Sequence, residues 1–219
     1  MSGWDTPIRY IARSLHTHME TFVKRLLLNE EVDLPVRRQH PVHDNAMYDI
    51  IIFVDACITG LGAYVVDNRS LRAVCLRQRW HGLIQDSATS EPTAVCRVLA
   101  WVKLQPFFMD LLARKQQLRC AVVTDHIAIV TGQRRWRSSN GGFSAAWTLN
   151  SAFMQSHQDG MTTDFFYVEG EKNIADGPSR DPTNREDLSV TNANILIPSL
   201  QQFWHPYGAE HEERPLWQV

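Results

Sequence analysis

Four acidic side chains, Asp55, Glu91, Asp125 and Asp176, each stand in local sequence that implies a different structural setting. Asp55 lies inside an apolar run, Ile50–Ile51–Ile52–Phe53–Val54–Asp55–Ala56–Cys57, and Asp125 ends a second, Cys120–Ala121–Val122–Val123–Thr124–Asp125. An ionised carboxylate at the end of a buried strand is costly unless something cationic meets it. Two at strand ends, with two more on helices, suggest carboxylates gathered around a divalent metal, because hard cations take oxygen ligands. Left without metal, such groups repel one another and some take up protons. Each residue read singly has a plainer explanation. Asp55 could be a strand-end residue, Asp125 a cap for a following helix, Glu91 a residue that favours a helix N-terminus, and Asp176 a solvent-facing acid.

The elements that must position them follow from apolar periodicity and turn chemistry. Ile50–Cys57 reads as a first strand, Ile58–Thr59–Gly60 as a turn and Leu61–Val66 as a second strand. Asp67–Ser70 is the next turn and Leu71–Leu76 a third strand, so three short strands form an antiparallel meander. Ser90 suits an N-cap, Glu91 and Pro92 suit a first helical turn, and Ala94, Val95, Val98, Leu99 and Val102 keep helical spacing, so Glu91 is expected to open a helix. Cys120–Thr124 is a fourth strand and His126–Val130 a short helix. Gly141–Gly142 precedes a further helix, roughly Ser144 to Gln155. Phe165–Val168 is a fifth strand, and Asn173–Ser179 a brief final helix before Pro182. This order is an α/β pattern, a five-stranded mixed sheet whose first three strands are antiparallel and which helices flank.

The chain has 219 residues and a net charge of −2, with 44% hydrophobic and 21% charged residues, as expected of one globular domain with extensions. No global basic field marks it as a nucleic-acid binder, so any such surface must be local. Cys57, Cys75, Cys96 and Cys120 sit in apolar segments without CxxC spacing and read as buried reduced thiols, which fits an intracellular compartment, cytoplasm or nucleus. No apolar run approaches the roughly 20 residues needed to span a bilayer, so no membrane partner is expected. Residues 1–47 read as an N-terminal helix, Tyr10 to Leu28, and a linker. That helix carries Ile11, Leu15, Met19, Phe22, Val23 and Leu26 on its apolar face. It is also mildly amphipathic with Arg9, Arg13, Lys24 and Arg25, so a mitochondrial presequence is the alternative, against which Asp5 and Glu20 argue.

The order of elements and the local motifs resemble ribonuclease H, most closely the ribonuclease H domain that follows reverse transcriptase in gypsy-type and DIRS-like retroelements. Phe53–Val54–Asp55–Ala56–Cys57–Ile58–Thr59–Gly60–Leu61–Gly62–Ala63–Tyr64 is similar to that family's first hairpin. Glu91 stands where the family has its helix glutamate, and Thr124–Asp125–His126 where it commonly has Thr-Asp-Asn. Val168–Glu169–Gly170–Glu171–Lys172–Asn173–Ile174–Ala175–Asp176–Gly177–Pro178–Ser179–Arg180 resembles its closing motif. The likeness covers about Tyr48 to Pro182. That leaves a ribonuclease H-like domain at 48–182, an N-terminal piece at 1–47 that could be a polymerase-connection remnant, and a C-terminal extension at 183–219. The family pattern is broken at His126, which replaces an asparagine that helps hold RNA, and at Gly177–Pro178, which replaces Ala–Leu. The mobile histidine that cellular relatives carry before the last aspartate has no counterpart here, since the nearest, His157, is far upstream.

The resemblance implies a metal-dependent endonuclease that cuts the RNA strand of RNA–DNA hybrids, with a retroelement origin. It implies two Mg²⁺ ions about 3.5–4 Å apart, with Mn²⁺ as a substitute, that activate water and stabilise the leaving oxygen. Asp55 would bridge both ions, Glu91 and Asp125 would complete the site near the leaving group, and Asp176 would hold the ion near the attacking water. Backbone amides at Thr59, Gly60, Leu61 and Gly62 would reach 2′-hydroxyls, the mark of RNA, and His126 would stand beside the third carboxylate at the RNA-holding position. The one concentrated basic segment, Gln133 to Asn140, holds Arg134, Arg135, Trp136 and Arg137. It could contact phosphates of the DNA strand or be a solvated loop.

The alternative function is a catalytically silent ribonuclease H-like scaffold or assembly subunit of a ribonucleoprotein. A reverse transcriptase or other protein subunits could dock through residues 1–47 and 183–219. The extension carries Ile195, Leu196, Ile197, Leu200, Phe203, Trp204 and Trp217, more apolar residues than a disordered tail needs, and either straps back over the domain or docks on a partner. His16 and His18, or His40 and His43, lack partners at zinc spacing. No P-loop or dinucleotide fingerprint is present. A proofreading-type exonuclease would need a glutamate two positions after the first aspartate, where Cys57 stands.

Overall fold

Strand β1, Ile50–Ala56, is buried along its first six residues on both faces, as expected of a central strand whose run has no polar interruption before Asp55. In this computed structural model the structure describes residues 44–80, 87–115, 117–135, 159–181 and 186–205, with 87–89 and 132–135 by backbone alone. All of them belong to one compact unit, residues 40–219. Around β1 lie β2, Gly60–Asp67, and β3, Arg72–Arg79. Helix α1, Ser87–Lys103, and helix α2, Pro106–Lys115, follow. Then come β4, Leu118–Thr124, α3, Ile127–Arg135, β5, Met161–Tyr167, the single helical turn α4, Asp176–Ser179, and β6, Ser189–Ala193.

The strands form one mixed sheet in the order β5-β4-β1-β2-β3-β6. β1, β2 and β3 are an antiparallel meander as expected, and β4 and β5 add in parallel on the other side of β1. The sheet has six strands where five were expected. The sixth comes from the C-terminal extension: Ser189–Ala193 pairs antiparallel with β3 from Ala73 to Arg77. Its sequence, Ser-Val-Thr-Asn-Ala, is polar and its residues are exposed or half-buried, so it has no apolar alternation to announce it. Only its backbone pairing makes it a strand.

Alternation along the strands divides the core in two. Ile50, Ile52, Val54, Val122 and Phe165 face α1 and α2 and pack with Val95, Val98, Leu99, Val102 and Phe108. Ile51, Phe53, Ala121, Val123 and Phe166 face the other way, and there the chain after β6 covers them. Leu200 is fully buried on this face, and Phe203 meets Phe53 edge-on with ring centroids 6.2 Å apart. Trp204 then exchanges backbone hydrogen bonds of 2.8 and 3.1 Å with Tyr167 of β5. The Asn45 side chain accepts from Leu200 N–H at 2.7 Å and donates to the Pro198 carbonyl at 2.9 Å. The extension thus straps the sheet from β3 to β5. Of the two fates the sequence left open for its 186–205 portion, packing on the domain is the one observed.

Three local expectations are corrected. Helix α1 begins at Ser87, so Glu91 lies in its second turn and Pro92 inside it, beyond the N-terminal position that proline prefers. Helix α2 was not anticipated from the sequence. The closing segment is a 3₁₀ turn, Gly170–Lys172, followed by Asp176–Ser179, not a helix from Asn173. The expected helices at 10–28 and 144–155 lie outside the described residues.

Candidate metal centre

Asp55 is the penultimate residue of β1 and continues the row of Ile51 and Phe53 on the strapped face. β1 and β4 pair from Ile50 opposite Cys120 to Phe53 opposite Val123. Carried two residues further, that register sets Asp55 beside Asp125, which follows the last residue of β4. Glu91 reaches the same strand ends from α1. Its Oε1 accepts the Ala56 N–H at 2.7 Å, and its Oε2 lies 3.4 Å from the Thr124 hydroxyl. The structure therefore brings Asp55, Glu91 and Asp125 together, each offering a ligand oxygen, with those atoms all within 4.8 Å of one another. A cluster of this kind could hold a metal ion: all its donors are hard carboxylate oxygens.

The electrostatics agree. Four carboxylates are buried among the described residues: Asp49, Asp55, Glu91 and Asp164. Asp164 is met by Arg119, at 3.0 and 3.1 Å, and by the Tyr48 hydroxyl at 3.0 Å. Asp49 is met by the Lys115 ammonium and by the Arg119 backbone N–H. Asp55 and Glu91, both 3% exposed, have no ion-pair partner among the described residues, and neither has the half-buried Asp125. Burial raises Asp55 to about 6; the Ser179 hydroxyl opposes that rise, and neighbouring Asp125 and Asp176 add to it. Burial also pushes Glu91 well above the usual carboxylate range, with Asp125 and Asp55 adding to the effect despite the Ala56 hydrogen bond. Asp125 is raised in the same direction, chiefly by desolvation. Desolvation and mutual repulsion hold all three carboxyls toward the neutral form, and a cation among them would favour the charged form.

Asp176 is near but differently engaged. Its charge is felt at Asp55 and Asp125. Its Oδ1, however, accepts from Arg180 at 2.7 Å, a pair largely open to solvent. It is not among the clustered ligand atoms. The segment that carries it is docked on the sheet: Asn173 donates to the Val54 carbonyl at 2.9 Å and accepts from Ala175 N–H at 3.2 Å. Gly62 is where this docking needs glycine. A Cβ there would lie 2.3 Å from Ser179 N and 2.7 Å from the Ala175 carbonyl oxygen. Gly170 similarly runs beside Asp125, whose Oδ2 would be 3.0 Å from a Cβ.

The remaining sequence candidates lie on the β1–β2 hairpin, at His126 and in the basic segment. Thr59 is exposed at the β1–β2 hairpin tip, its hydroxyl 3.0 Å from the Cys57 thiol, and the Gly60 carbonyl accepts from Cys57 N–H. Leu61 and Gly62 are buried inside the ladder, opposite Gln78 and Arg77 on one side and Ala56 and Asp55 on the other. Their backbone groups lie in the sheet plane, directed at neighbouring strands. His126 is half-buried next to Asp125; its Nδ1 is enclosed without a hydrogen-bond partner, and burial lowers its pKa. Arg134 and Arg135 fall on the last turn of α3, where only backbone is described, and Arg137 lies outside the described residues. Thr124, Asn173 and Ser179 were not singled out from sequence, although all three contact the carboxylates or their strand. The signal they gave was their place inside two motifs that carry the resemblance, Thr124–Asp125–His126 and Val168–Arg180.

No protein-family model matches this chain, and no curated protein matches it. No helix among the described residues is long and apolar enough to cross a membrane.

Proposed function

We propose that this chain is a metal-dependent endonuclease of the ribonuclease H type, hydrolysing the RNA strand of RNA–DNA hybrids and derived from a retroelement. The observation that carries the reading is the set Asp55, Glu91 and Asp125, buried or half-buried at adjoining strand ends with no ion pair, where the other buried carboxylates among the described residues are cation-paired. The antiparallel meander with two parallel strands beyond β1 supports the reading, and the sixth strand, β6 beside β3, is additional to the five that the sequence led one to expect.

Bound Mg²⁺, or Mn²⁺ in its place, would supply Lewis acidity toward a phosphate oxygen and a water of lowered pKa. Asp55, Glu91 and Asp125 would hold it, with Asp176 as a fourth ligand once its carboxylate leaves Arg180. Ala56 N–H and Thr124 fix the orientation of Glu91, so that carboxylate needs no reorganisation on binding. The exposed hairpin tip at Thr59 lies four residues from Asp55, a suitable place for contact with the minor groove of a hybrid.

Purified protein should cut the RNA strand of an end-labelled hybrid in Mg²⁺ or Mn²⁺, and leave duplex DNA intact. Asp55→Asn should lower that rate by at least ~10³-fold, given the several kcal/mol that metal-held charge stabilisation supplies, while the circular dichroism spectrum stays unchanged. Equal cleavage by the variant would remove Asp55 from the active site. The second reading, a silent scaffold within a ribonucleoprotein, draws on the engagement of Asp176 with Arg180. A wild-type protein that binds metal, leaves the hybrid whole and co-purifies with a stable partner would favour it.

A further inference from the structure

Asp55 accepts one side-chain hydrogen bond among the described residues, from the hydroxyl of Ser179. Ser179 is 1% exposed and lies 124 positions along the chain from Asp55. Its own placement is fastened on several sides. The Asp176 carbonyl, 2.8 Å from the hydroxyl oxygen, is a second acceptor within reach of its single proton, and the Ser179 carbonyl accepts from the Cys57 thiol at 3.2 Å. The Ser179 N–H bonds the Ala175 carbonyl at 3.1 Å, and the turn rests on Gly62, where even a methyl would not fit. The hydroxyl is therefore held by a rigid support, not presented by a loop.

A strand-end aspartate can turn about two side-chain bonds, and a ligand carboxylate that turns freely must be ordered when an ion arrives. Glu91 avoids this through the Ala56 N–H. We propose that Ser179 is the positioning residue of the metal centre: its hydroxyl holds Asp55 turned toward Glu91 and Asp125, so that the final helical turn sets the affinity for divalent cation. The proposal rests on the reading of these carboxylates as a metal site. Ser179 acts through Asp55 and not on substrate. Removing a group that orients a metal ligand costs ~10–100-fold in affinity.

Calorimetric titration of the full-length protein with Mn²⁺ tests this, for wild type, Ser179→Ala and Ser179→Thr, with thermal unfolding in chelator measured alongside. Ser179→Ala should bind Mn²⁺ at least ~10-fold more weakly and lower the chelator midpoint, since buried Asp55 loses its side-chain donor, and Ser179→Thr, which keeps the hydroxyl, should recover most of both losses. Unchanged Mn²⁺ affinity in Ser179→Ala overturns the proposal. So does an equal loss in both variants, which would mark Ser179 as a packing residue only. Wild-type protein that binds Mn²⁺ but leaves the hybrid uncut would sink the nuclease reading and keep the Ser179 comparison valid. Failure of wild type to bind Mn²⁺ overturns both.

Discussion

Asp55 ties stability to pH through its burial. Its folded value, about 6, stands above the ordinary 3.8. A carboxyl raised in this way stabilises the fold fully below its unfolded value and loses that contribution as pH rises through its folded one. The window is therefore from about 4 to about 6, and the loss amounts to up to about 3 kcal/mol at 1.36 kcal/mol per unit. Asparagine cannot ionise. Relative to wild type in chelator, Asp55→Asn should gain up to about 3 kcal/mol between pH ~4 and pH ~7, read from urea midpoints at the two values. A constant difference between the proteins would show that Asp55 ionises freely in the fold. Asp55 and Asp125 were legible at this scale, because a carboxylate interrupting or ending an apolar run stands out against its neighbours, and Glu91 was legible from its helix-start context and the family resemblance. Ser179 stood in the closing motif, but its contact with Asp55 was not legible: a serine in a short polar segment looks the same whether it faces solvent or a ligand.

The closing turn α4 and the β1–β2 hairpin form one unit, and glycine chemistry separates packing from local propensity within it. Gly62→Ala would place a methyl against backbone atoms of α4, which cannot rotate away. It should destabilise the protein by about 1–3 kcal/mol, as overpacking does, and weaken Mn²⁺ binding by displacing Ser179. Gly177→Ala has open space around the added carbon, so it should leave both properties nearly unchanged. Thermal unfolding and Mn²⁺ titration of the two variants check the pair; equal effects would mean that α4 is not seated on Gly62. Element boundaries were less legible than element types. Glu91 was expected to open α1 because Ser90 and Pro92 are start signals, yet the helix runs one turn further upstream.

For the molecule as a whole, a cation that binds the folded site and not the unfolded chain must stabilise the fold. At one hundred times its dissociation constant, Mg²⁺ or Mn²⁺ should add about 2.7 kcal/mol, reversed by chelator and absent in Asp55→Asn. Scanning calorimetry with and without metal reads this directly, and an unchanged midpoint would count against the centre. The strap belongs to the same scale. Ile195, Leu200 and Phe203 cover the sheet face on which Asp55 lies, yet the strand that starts the strap, Ser189–Ala193, carries no apolar signature. Apolar runs, turns and the four acids could be read along the chain because burial and backbone geometry leave periodic marks on neighbouring residues. Three results needed the folded chain: the sixth strand, the choice of three carboxylates out of four for the cluster, and the support beneath Asp55. Each depends on register or contact between segments distant in sequence, where the energy lies in pairing and packing that no local pattern records.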